Sequence, residues 1–148
     1  MDARVARLST PKECEVFAKN ARSRGREDLA DEAIHRAIEL NAVAFGAKSD
    51  AERECLEAVY AYERILSARN SKPTKAYRTW QMIKRHGIIG AIERAVNRND
   101  VTSGYEALRS AGLQKYAFEA VILRHPSLFT EAAVIRSRER MASYVSEP

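Results

Sequence analysis

Ser49-Asp50-Ala51-Glu52-Arg53-Glu54-Cys55-Leu56-Glu57-Ala58-Val59-Tyr60-Ala61-Tyr62-Glu63-Arg64-Ile65-Leu66 is the stretch that decides the fold. Ser49 and Glu52 have the spacing of a capping box, in which a hydroxyl accepts from an orphan backbone N–H and a carboxylate reaches back. Behind them Cys55, Leu56, Val59, Tyr60, Tyr62, Ile65 and Leu66 recur at intervals of three and four, so one apolar stripe faces inward along a long helix that ends near Asn70. Glu52, Glu54, Glu57 and Glu63, interleaved with Arg53 and Arg64, make a charged outer face with local pairs of a few tenths of a kcal/mol each.

The same signals continue toward the N-terminus. Thr10-Pro11-Lys12-Glu13 is a second capping box with proline at the first helical position, and Cys14, Phe17, Ala18 and Ala21 follow at helical spacing up to Gly25. That predicts a helix over about 11–24. Acids at Glu27, Asp28, Asp31 and Glu32 suit the positive end of a second helix, whose stripe is Leu29, Ala30, Ala33, Ile34, Ala37 and Leu40 and whose stop is Gly46. With Ala18, Ala30 and Ala37 as small residues and Ile34 as the large one between, residues 14–41 resemble a tetratricopeptide repeat. Cys14 stands where that pattern has a large residue, Ala42 where it has proline, and no second copy follows. The segment is therefore read as a closely packed helix hairpin.

Toward the C-terminus, Ser71-Lys72-Pro73-Thr74 is a break, because the residue before proline is pushed out of the helical region. Two short helices are predicted over about 75–86 and 88–98, joined at His86-Gly87. Asn99-Asp100 reads as a turn, and helices follow at about 103–111, 114–124 and 130–142, with 143–148 as a tail. The expected fold is all-α: a single compact domain spanning 1–148, of about seven to eight helices, in which helix hairpins precede a helix-turn-helix-like pair at 74–98.

Charge concentrates on that pair. Residues 1–74 carry 13 basic and 13 acidic side chains and residues 99–148 six of each, whereas 75–98 holds Lys75, Arg78, Lys84, Arg85, Arg94 and Arg98 against Glu93 alone. The formal net charge of +5 is thus local. A single-signed face of this kind attracts polyanions. On a helical wheel Ala76, Tyr77, Trp80 and Ile83 share an arc of about 120°, expected to face the core, and Lys75, Arg78, Gln81, Arg85 and His86 share an opposite arc of about 140°. The next helix is expected to bury Ile88, Ile89, Ile92, Ala95 and Val96 and to expose Glu93, Arg94, Asn97 and Arg98.

The expected function is non-catalytic nucleic-acid binding, with duplex DNA the foremost partner, through Lys75, Arg78, Gln81, Lys84, Arg85, Arg94, Asn97 and Arg98. Phosphates would supply most of the affinity, and any sequence preference would come from Arg94, Asn97 and Arg98. The apolar start Ile88-Ile89, Gly90 and the acid Glu93 depart from a base-reading helix. The alternative is a helical protein-interaction module whose contact surface is the exposed residues of the first three helices together with the charged C-terminal helix containing Arg136, Arg138 and Arg140. A third reading is an enzyme, in which Glu119, Arg124 and His125 line an acid–base pocket; the competing explanation is a buried helix whose terminal cations offset its dipole.

Little else in the sequence carries chemistry. Glu32-Ala-Ile-His35 has the spacing of one half of a di-iron helix pair, but a single copy reads as an ion-pairing patch. Cys14 and Cys55 are isolated and lie on apolar faces, which predicts buried free thiols in a reducing compartment. No Gly-rich phosphate loop, nucleophile elbow or paired-cysteine metal motif occurs, so neither cofactor nor metal is expected. With no apolar leader after Met1 and no uncharged run near the roughly 20 residues that cross a bilayer, the expected location is cytoplasmic and no membrane partner is expected.

Overall fold

The structure, a computed structural model, describes residues 1–98 and 103–146. Among these every regular element is helical, as the periodicity predicts. Among the described residues no helix is long and apolar enough to cross a membrane. The turn read at Asn99-Asp100 lies outside the described residues. The contacts group the chain into two compact units, Met1–Ala47 and Lys48–Pro148.

The first unit holds α1 (Ala3–Ala6), α2 (Pro11–Ser23) and α3 (Glu27–Phe45). Thr10 caps α2 by accepting from the Glu13 N–H at 3.1 Å, while Glu13 accepts in return from the Ser9 N–H and hydroxyl. The paired helices α2 and α3 bury Cys14, Ala18, Ala30, Ala33 and Ala37, side chains small enough to let two backbones approach closely, with the larger Ile34 among them. The one-turn helix α1, which the apolar pattern does not announce, is capped by the Asp2 carboxylate on the Arg4 N–H at 2.8 Å. Glu32 accepts from the Asp2 N–H at 3.0 Å, so it serves to hold α1. Among the described residues no cluster of His, Cys, Asp and Glu is arranged to hold a metal ion.

The second unit contains α4 (Asp50–Asn70), α5 (Tyr77–Val96), α6 (Ser103–Ser110), α7 (Phe118–Arg124) and α8 (Glu131–Ser146), with single 3₁₀ turns at Gln114–Tyr116 and Pro126–Leu128. Ser49 caps α4 on the Glu52 N–H, as the capping box predicts. Cys55, Leu56, Val59, Ile92, Val96, Val121 and Ile122 form the innermost layer. The break at 71–74 is present: Ser71 takes a left-handed φ of 55° and the Ser67 hydroxyl accepts from the Thr74 N–H at 2.8 Å. The helix expected over 114–124 is divided at Ala117, whose extended backbone (φ −60°, ψ 143°) separates the 3₁₀ turn from α7. At the other end α8 continues to Ser146, so 143–146 are helical where a tail is expected.

The two short helices predicted over 75–98 form one element interrupted at a single residue. Gly87 has φ 80° and ψ 172°, a backbone region open to glycine and costly for any residue with a Cβ. The helix therefore stops and restarts at Gly87, dividing α5 into an entry half and an exit half.

Candidate nucleic-acid interface

The entry half of α5 is fixed from below. Glu63 on α4 accepts from the Ala76 N–H at 2.9 Å and from the Trp80 indole N–H at 2.6 Å through the same oxygen. The Trp80 ring packs on Tyr60 with centroids 5.2 Å apart. With Ala76, Thr79 and Ile83 buried, this anchoring sets the rotation of the helix about its axis.

That rotation corrects one expectation. The buried arc takes in Thr79, and Tyr77, expected to face the core, is 70% exposed. At 100° per residue Lys84, Tyr77, Gln81, Arg85 and Arg78 then occupy one outer arc of about 120°, and all five are exposed. Lys75, two residues before the helix begins, is exposed too. Among the described residues none of Lys75, Arg78, Lys84, Arg85 and Arg94 is paired with a carboxylate. No family model, curated protein or solved structure matches this chain.

The exit half is used differently. Arg94 is exposed, but Glu93 accepts from the Thr130 N–H at 2.6 Å, just before α8 begins. Arg136 on α8 donates to the Asn97 carbonyl at 2.7 Å and to its side-chain oxygen at 3.3 Å, and Arg140 donates to the Arg98 carbonyl at 2.7 Å. Arg98 itself is half-buried and its guanidinium lies 3.5 Å from the Met82 sulfur. Of the eight residues expected to form the interface, Arg78, Gln81, Lys84 and Arg85 are thus brought together on the entry half, with Lys75 beside them. Arg94 stands on the other side of the Gly87 break, while Asn97 and Arg98 are engaged by α8 or folded inward. Sequence spacing could not show this, because the partners of Glu93, Asn97 and Arg98 lie 37 to 42 residues further along the chain.

The residues considered for acid–base chemistry divide between two places. Glu119 is buried and lines a cavity of about 80 Å³ together with Ala58, Tyr62, Thr79, Tyr105 and Tyr116. It accepts from the Tyr144 hydroxyl at 3.3 Å, and the Arg140 guanidinium lies 4.0 Å away. Burial and the neighbouring Glu119 push the Tyr144 phenol up to about 12, so it remains a neutral donor. Arg124 and His125 do not join Glu119. Both bind Glu54 on α4, where they tie the C-terminal end of α7 to the central helix. The trio expected to share a pocket is therefore split, and Arg124 and His125 have the structural task of closing a helix end.

Proposed function

We propose that this chain binds a nucleic-acid strand through the outer face of the entry half of α5, with Lys75, Arg78, Lys84 and Arg85 contacting phosphates and Gln81 adding a polar contact. One observation carries the reading: these four cations are exposed and unpaired among the described residues, on a molecule whose segments before and after 75–98 each sum to zero charge. Exposed cations held by acids would offer little to a new partner, whereas unpaired ones can replace the counterions condensed on a phosphate chain. Asn97, Arg98 and Arg94 contribute less in this reading than the spacing alone suggests, and base-specific recognition is not part of it. Duplex DNA remains the reference target, since phosphate contact does not require unpaired bases.

The magnitude is testable. Four neutralised phosphates give a slope of log affinity against log salt of about −3.6 on duplex DNA. Electrophoretic retention of a duplex across a salt series should show that slope in the wild type. Reversing Arg78 and Arg85 to Glu should weaken retention at every salt concentration and flatten the slope while circular dichroism is unchanged. Unaltered retention at low salt in that variant ends the proposal.

A further inference from the structure

Resting on the reading above, we propose that the entry half of α5 takes an unpaired nucleic-acid strand in preference to a duplex, and that Tyr77 is the platform on which one of its bases stacks. The inference comes from the different fates of two aromatic residues three positions apart. Trp80 is committed to the interior, since its indole N–H is spent on Glu63 and its ring lies on Tyr60. Tyr77 is 70% exposed, near one edge of the outer arc. Lys84 lies on one side of it around the helix, Gln81, Arg85 and Arg78 on the other.

Cations alone would grip either kind of nucleic acid. An aromatic face among them matters only to a strand that can present a base face. In a duplex the two faces of each base are covered by its neighbours and only the edges reach the grooves, so a tyrosine ring has nothing to lie against. In an unpaired strand the face is free, and stacking on it tolerates any base. The dimensions fit a short segment: Arg78 and Arg85 are seven residues apart, about 10 Å along the axis, which is roughly the rise of three stacked nucleotides. Gln81, one turn beyond Tyr77 on the same face, has a donor and an acceptor to offer the edge of a stacked base. Phosphate contact and base stacking do not depend on the 2′-hydroxyl, so unpaired DNA and RNA are both ligands of the same chemistry.

The test compares fluorescein-labelled oligothymidylate, oligouridylate and a duplex, each of about 20 nucleotides per strand, by anisotropy at about 50 mM salt. The single strands should bind more tightly than the duplex. Tyr77→Ala should weaken single-strand binding by about tenfold and leave duplex binding within about twofold, while Tyr77→Phe, which keeps the ring, should behave as wild type. Tyr77 is a surface residue, so circular dichroism should be the same for all three proteins. Duplex binding as tight as single-strand binding, or a Tyr77→Ala protein that holds oligothymidylate as well as wild type, overturns this inference and leaves the phosphate-binding proposal standing. Absence of salt-sensitive binding to all three probes removes both.

Discussion

At the scale of single residues, Glu63 has more consequence than its place on an apparently solvated face implies. One of its carboxylate oxygens accepts both the first N–H of the entry into α5 and the indole of the chain's one tryptophan. Truncating it would leave two donors without acceptors in a half-buried setting, and the cost of such groups is about 1–3 kcal/mol. Glu63→Ala should therefore lower the free energy of unfolding by about that amount and shift Trp80 emission to longer wavelength as the ring loses its tether. An unchanged emission spectrum would mean that the packing on Tyr60 holds the ring unaided. The charge pattern of α4 gave no hint of this role: Glu63 looks like Glu52 or Glu54 in sequence, and only the return of the chain after Pro73 places Ala76 and Trp80 against it. Tyr77 makes the complementary point. Its wheel position lies at the edge of the apolar arc, and the burial of Thr79 rotates that edge outward.

At the scale of elements, most boundaries were legible because each is written in local chemistry. Thr10 and Ser49 open α2 and α4 with their hydroxyls, Gly46 closes α3 at a φ of 102°, and Gly87 marks the break in α5. What could not be read locally is how the ends are tied across long intervals, as where Glu54 gathers Arg124 and His125 from the end of α7. That tie has a pH signature. Burial alone pushes the Glu54 carboxyl up, but the hydrogen bonds from His125 and Arg124 outweigh it and hold the group below its ordinary 4.5. The folded state then binds its proton less readily than the unfolded state, so the stabilisation is present above pH 4.5 and is lost as pH falls through the lower, folded value. Melting temperatures of wild type and Glu54→Gln should differ at pH 7 and converge as the buffer is taken down through pH 4.5 toward pH 3. A gap that persists undiminished at pH 3 would show that Glu54 acts through packing and not through its charge.

For the molecule as a whole, the two cysteines report on two cores. Cys14 belongs to the first unit and Cys55 to the second, and each is a free thiol with no exposed surface. Burial pushes the Cys14 thiol up and carries Cys55 to about 12, so neither forms the reactive thiolate while its unit is folded. The units are unequal. Met1–Ala47 has fewer than half the residues of Lys48–Pro148, and its interior is built largely of alanines, each of which withdraws little apolar area from water. A fold of that size is marginal on surface-to-volume grounds, since the fraction of surface a chain can bury falls with its length. Labelling with Ellman's reagent across a denaturant series, in Cys14→Ala and Cys55→Ala proteins that each keep one thiol, should therefore expose Cys14 at a lower denaturant concentration than Cys55. Far-ultraviolet dichroism should lose the smaller part of its signal at the first of these steps. If both thiols become reactive at one concentration and one rate, the chain opens as a single cooperative body, and the alanine-lined hairpin draws its stability from something other than its own interior.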